Sequence, residues 1–271
     1  MEALESLASM RCTPLSLKDM YKYAVDFSNS EQRILNAQFL HKELPIRIAQ
    51  RAVDLLTLPY GLSNIMAVRQ IAQVYLVYLE KFQALPPPTT PEEEDAFTEM
   101  LNSMVLDRSS IPNSIAKGVD EWLQMHQQEA MEAEDDMEND GGLQEMEDAL
   151  YRFFTARTGL RFLTEHHILS SPKKRDEFVA LRQAQSSFLD DEDMDSQVLG
   201  CIQTDCDPGK EARKVADAIQ RQTEEYYGVC PEIQIVDATQ KKDTKFTYVS
   251  HHLHYMVGEL IKNACRASVR T

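Results

Sequence analysis

The segment HHLHYMVGELIKNACRA, residues 251–267, has the spacing of a helix with one polar face. Glu259, Lys262, Asn263 and Arg266 stand at i, i+3, i+4 and i+7, which places all four side chains on one side. Magnesium takes oxygen ligands and commonly binds through one protein oxygen plus phosphate oxygens, a role that the Asn263 carboxamide suits. Lys262 and Arg266 lie within a turn of it and can reach phosphates. Glu259, one turn earlier, can accept a proton from a hydroxyl. Asn is a poor helix former, and a position in mid-helix calls for a use. Leu253, Met256, Leu260 and Ile261 supply an apolar side, so this helix is expected to be packed. The same spacing also fits a solvated face with an ordinary Glu–Lys pair, and spacing alone does not separate the two.

Upstream of this helix the pattern mixes strands and helix. VLGCIQ (198–203) has strand character, Lys210 to Tyr227 is amphipathic and stops at Gly228, and EIQIVD (232–237) and TKFTYV (244–249) alternate with period two. Residues 195–271 therefore read as strand–helix–strand–strand–helix. Residues 1–170 read as nearly all helix. Ser16 is placed to cap LKDMYKYAVDF, and Ser30 opens a long helix in which Pro45 should cause a kink. LPYGLS is a turn, and Val68, Ile71, Ala72, Tyr75, Leu76, Leu79 and Phe82 form a core stripe on the next helix. PPPTTP breaks the chain before Pro91, whose three following Glu residues suit the positive end of a helix. A boundary is expected within the polar stretch 171–194.

The 271 residues carry a net charge of −16, and a field of that sign repels phosphate backbones and anionic lipid, so no nucleic acid or membrane partner is expected. From Gln128 to Leu150 there are ten acids and no Lys or Arg, which reads as a solvated, partly disordered acidic insertion. Five scattered Cys without a CxxC pair argue against a disulfide framework or structural zinc and fit a reducing compartment. No apolar run approaches 18 residues. The N-terminal MEALESLASMRC reads neither as a secretory signal nor as a convincing mitochondrial presequence.

E-L-x-K-N-A-x-R-A resembles the N box of the Bergerat-fold ATPases. More of the chain, from about Pro14 to Thr271, resembles the mitochondrial 2-oxoacid dehydrogenase kinases, comprising the pyruvate and branched-chain enzymes. FLHKELPIRIAQRAVDLLTLPYGL, IPNSIAKGVDEW, FFTARTGLRFLTEHH, YGVCPEIQI and HHLHYMVGELIKNACRA carry the likeness. The resemblance implies an α + α/β chain. It implies a four-helix-bundle-type regulatory and lipoyl-binding domain over 14–170, with the acidic insertion at about 128–148. A polar linker at 171–194 and the first part of a Bergerat (GHKL) ATPase α/β sandwich over 195–271 would follow. It further implies a protein-serine kinase of the mitochondrial matrix that uses ATP and Mg2+ and inactivates a dehydrogenase by phosphorylating its E1α subunit. The lipoyl domain of the E2 core would be a partner, and the full-length form a homodimer.

Residue by residue, the resemblance makes Glu259 the general base toward a substrate Ser, Asn263 the magnesium ligand, and Lys262 and Arg266 neighbours of the phosphates. It also singles out His167, with Arg157 and Arg161 as companions, either as a catalytic residue or as a core or interdomain histidine. Pyruvate dehydrogenase kinases carry His four residues before the base. Here that residue is Tyr255, as in the branched-chain enzyme, while His254 points about 100° away. The family's D-x-G-x-G box and glycine-rich lid do not occur within the 271 residues. The chain as given is therefore expected to be inactive, with uncovered strands. The alternative function is a kinase-inactive binding module that engages the E2 core or a full-length kinase. A histidine-kinase reading is disfavoured, because T-E-H-H does not match a phosphoacceptor H box.

Overall fold

The computed structural model describes residues 2–24, 29–107, 111–133, 140–171, 198–236 and 244–270. Its contacts divide the chain into two compact units, Met1–Leu15 with Ser28–His167, and Ser16–Phe27 with Ile168–Thr271. The division falls at His167, a few residues before the polar stretch; residues 172–194 of that stretch lie outside the described residues. The short helix α2 (Leu17–Ala24) groups with the second unit, whereas the sequence placed it within the helical domain.

In the first unit, α1 (Glu2–Ala8) lies against α3 (Ser30–Leu56), which also packs on α4 (Met66–Ala84) and α5 (Pro91–Asp107). The helices α6 (Ile111–Ala133), packed on α4, and α7 (Asp140–Leu169) complete it. Five long helices, rather than a set of four, thus build this unit among the described residues. Helical backbone enters the acidic run from both sides, to Ala133 and from Asp140, where the sequence pointed to disorder; 134–139 lie outside the described residues.

The core follows the sequence stripes. On α3 Ala37, Leu40, Leu44, Ile48, Ala52 and Leu55 are buried at helical spacing, and the helix runs its 27 residues through Pro45. On α4 Tyr75 and Tyr78 are fully enclosed, Tyr78 taking the place expected for Leu76, which is half-buried. Phe153 of α7 meets Tyr75 edge-on with ring centres 6.3 Å apart. Each such buried side chain contributes about 1.5–3 kcal/mol through loss of apolar surface to water.

Local caps explain the helix ends. Ser16 and Asp19 bond reciprocally at the start of α2, Oγ to carboxylate at 2.6 Å and N–H to Oγ at 3.2 Å. The cap of α3 is Asn29, one residue before the expected Ser30, its side chain accepting from the Glu31 N–H at 3.0 Å. The proline segment before α5 is tied to α3, with Gln38 Nε2 donating to the Pro88 carbonyl at 2.8 Å and His41 Nε2 2.7 Å from the Leu85 carbonyl.

The second unit holds an antiparallel sheet in the order β1 (Val198–Leu199), β2 (Ile202–Cys206), β3 (Phe246–Tyr248), with α8 (Pro208–Tyr227) and α9 (Ser250–Arg270). The single strand expected over 198–203 is instead a tight hairpin, because Gly200 takes φ 61° and reverses the chain. Asp207 caps α8 and Gly228, at φ 73°, ends it. EIQIVD is not a strand over its described residues. Pro231, Ile233 and Ile235 are half-buried and Glu232, Gln234 and Val236 exposed, so the period-two burial is kept without a ladder partner, while Asp237 lies outside the described residues. Ile233 packs against the α8–α9 seam instead.

Candidate functional site

Three side chains hold α9 in place. Val257, Ile261 and Cys265 form its inward stripe and meet Val215 and Ile219 of α8. This corrects the expected packing face, since Leu260 is 71% and Met256 46% exposed. None of the polar quartet belongs to that seam. Glu259 and Lys262 form a half-buried ion pair, and Asn263 and Arg266 are exposed. Tyr255 is exposed one turn before Glu259. His254 turns to α8, its Nδ1 3.6 Å from a Glu211 carboxylate oxygen, in keeping with its angular offset from the quartet.

The donor set decides which metal would suit this face. Among the described residues no group of three His, Cys, Asp or Glu could hold an ion. One exposed carboxamide between two cations does not make a protein-only cage. It does fit an ion whose other ligands are phosphate oxygens, with Lys262 and Arg266 balancing their charge. The Glu259 carboxylate has lone pairs beyond the one that Lys262 engages, so it can still accept a further hydrogen bond.

His167 ends the first unit in a different setting. It is buried, with Nε2 3.1 Å from Thr98 Oγ1 and 3.1 Å from Glu94 Oε1. Thr98 Oγ1 donates to Glu94 at 2.7 Å, and Arg33 Nε donates to the other carboxylate oxygen at 3.2 Å. Burial opposes the charge on Glu94, yet hydrogen bonds from His167 and Thr98 and the Arg33 charge outweigh it and bring its carboxyl down to about 2. Burial, and then the Arg33 guanidinium, lower His167, so at neutral pH it is a neutral ring donating from Nε2. The expected companions are engaged elsewhere, Arg157 with Tyr75 and Arg161 with Glu165. The arrangement favours the core reading of His167, a pin joining α3, α5 and α7. Sequence reasoning missed Arg33, Glu94 and Thr98 as its partners, and no spacing signal links residues so far apart in the chain.

Together these features define a mainly helical α+β protein with a polar, phosphate-suited face on its last helix. The profile of a family described as mitochondrial branched-chain alpha-ketoacid dehydrogenase kinase matches residues 14–203. The chain belongs to this family. It is 31% identical over 271 residues to "[Pyruvate dehydrogenase (acetyl-transferring)] kinase, mitochondrial" of Arabidopsis thaliana, covering 98% of the chain and 63% of that relative. It is 26% identical over 263 residues to "[Pyruvate dehydrogenase (acetyl-transferring)] kinase isozyme 4, mitochondrial" of Mus musculus, covering 95% and 56%. With the human isozyme 3 it shares 24% over 271 residues, covering 98% and 60%. The chain thus spans about 56–63% of the length of these relatives.

Proposed function

We propose that this chain carries the helical part and the first section of the ATP-binding part of a protein-serine kinase of the mitochondrial matrix. Its substrate is the E1α subunit of a 2-oxoacid dehydrogenase complex, and phosphorylation switches that complex off. The observation that carries this reading is the Glu259, Lys262, Asn263 and Arg266 quartet on α9, outside the apolar seam with α8, within a member of this family. The second unit is the beginning of a Bergerat-type ATPase sandwich. Bound Mg2+ and ATP supply the phosphoryl group and neutralise its charge. Asn263 would offer the metal its carboxamide oxygen. Lys262 and Arg266 hold phosphate oxygens, and Glu259 takes the proton of the substrate Ser hydroxyl. The base is Glu259 rather than His167, because the His167 ring is buried and its Nε2 is already engaged by Glu94 and Thr98. The helical unit receives the lipoyl domain of the E2 core, and the full-length form pairs as a homodimer. Tyr255 in place of a polarising His favours a branched-chain substrate.

The 271 residues hold neither a D-x-G-x-G box nor a glycine-rich lid. The second reading is a binding module that engages the E2 core or a full-length kinase. The test measures phosphate transfer to E1α by the 271-residue polypeptide and by any longer natural form containing it. In the longer form Glu259→Gln should abolish transfer while leaving most of the ATP affinity. Transfer that survives this substitution would remove Glu259 as the base.

A further inference from the structure

The stretch of chain that follows α1 is pinned to α3 by three side chains in a row. Glu43, Arg47 and Gln50 stand at i, i+4 and i+7 and so share one face of that helix. Gln50 Nε2 donates to the Ala8 and Met10 carbonyls at 3.3 and 2.9 Å, and its Oε1 accepts from the Cys12 thiol at 3.1 Å. The tightest grip is on Thr13. Its N–H and its hydroxyl donate to the two oxygens of the Glu43 carboxylate, at 2.8 and 2.9 Å. Arg47 closes the ring, donating to that carboxylate at 3.0 Å and to the Thr13 carbonyl at 2.7 Å. Glu43 is buried, whereas Thr13 and the Pro14 after it are exposed.

We propose that Thr13 is a phosphorylation site for a proline-directed serine/threonine kinase, and that the phosphate releases residues 9–13 from α3. A proline holds the residue before it extended, the form in which such a kinase takes up its substrate chain. The sequence has three Ser/Thr-Pro dipeptides, at Thr13, Thr90 and Ser171. Ser171 is buried. Thr90 caps α5, its hydroxyl accepting from the Glu93 N–H at 3.3 Å, and Pro91 already belongs to the helix. Of the three, Thr13 combines exposure with non-helical backbone on both sides, over residues 11–16. In the transfer the Thr13 oxygen attacks the γ-phosphorus of ATP, the bond to ADP breaks, and the hydroxyl proton passes to the base of the modifying kinase. The product carries about −1.5 to −2 charges and no hydroxyl hydrogen for Glu43. A donor facing a buried carboxylate thus becomes an anion facing an anion. Arg47 brings one positive charge and is already shared between Glu43 and the Thr13 carbonyl, so it cannot balance both. The segment lifts from α3, and the bond after Arg11 becomes an open tryptic site.

The test incubates the 271-residue chain with MgATP and a mitogen-activated protein kinase, maps phosphopeptides by mass, and times tryptic cleavage after Arg11 with and without the modification. The expected result is phosphate on Thr13 and cleavage after Arg11 about tenfold faster, the scale of losing one hydrogen bond to a charged group. Pro14→Ala, a substitution at an exposed position, should abolish the modification of Thr13. The proposal falls if Thr13 stays unmodified, including the case in which phosphate goes to Thr90 or Ser171 instead. It falls equally if Thr13 is phosphorylated with no change in cleavage after Arg11, or if Pro14→Ala is phosphorylated at Thr13 as readily as the parent chain.

Discussion

At the scale of single residues, Glu94 holds three partners in one buried knot. Its carboxylate meets the Arg33 guanidinium, the Thr98 hydroxyl and the His167 ring. Removing it would leave Arg33, itself buried, without its counter-charge. Glu94→Ala should therefore cost about 3–5 kcal/mol of stability in urea unfolding, and a loss under about 1 kcal/mol would show that solvent reaches the knot. The knot also fixes the acid response. His167 titrates below its ordinary 6.5 in the folded chain, so the unfolded chain binds more protons as pH falls through that value, and stability drops. Glu94 adds a second loss, in place above its ordinary 4.5 and completed as pH falls toward about 2. His167→Gln should flatten the fall in melting temperature between about pH 7.5 and pH 5.5 relative to the parent chain. An unchanged fall would assign the effect to other groups.

At the scale of elements, the acids that open α5 divide the work. Glu92 stays in solvent, Glu93 folds back to accept from the Thr89 N–H at 2.7 Å, and Glu94 turns inward to Arg33. Charge at the positive helix end explains the run as a whole, and position around the helix decides each fate. The same reasoning applies to α9, where Ile219 of α8 is buried against Cys265 and Leu260 faces solvent. Ile219→Ala should cost about 2–5 kcal/mol, whereas Leu260→Ala should change stability by less than about 0.5 kcal/mol. Equal effects in thermal unfolding would mean that α9 packs through the other face.

At the scale of the whole molecule, the first unit supplies helical surface and the second carries the polar quartet. The proposed docking to an E2 lipoyl domain draws on apolar helical surface and the lipoyl group, since a net charge of −16 offers no long-range attraction to an acidic partner. Lipoylated E2 domain should bind the chain measurably more tightly than the unlipoylated form in calorimetric titration. Identical affinities would remove the lipoyl group from the proposed interaction. Among the described residues no helix is long and apolar enough to cross a membrane.

Much of this architecture was legible in the chain because it is written within four residues. The α3 and α4 stripes, the Ser16 cap, the Gly228 stop and the shared face of Glu259, Lys262, Asn263 and Arg266 all depend on helical periodicity or on neighbours one turn apart. Contacts across long stretches of chain left no such mark. The partners of His167 come from α3 and α5, and Leu260 and Ile261 are equally apolar in sequence although one alone is turned inward. Residues 231–236 show the same limit from the other side. Alternation made them able to be a strand, but a strand also needs a neighbouring backbone to accept its hydrogen bonds, and the fold places the α8–α9 seam there instead. The sequence by itself determined the long helices and the polar face, through local spacing. Which apolar face is covered and which histidine is enclosed were decided only by tertiary packing, because those energies arise between residues that periodicity cannot connect.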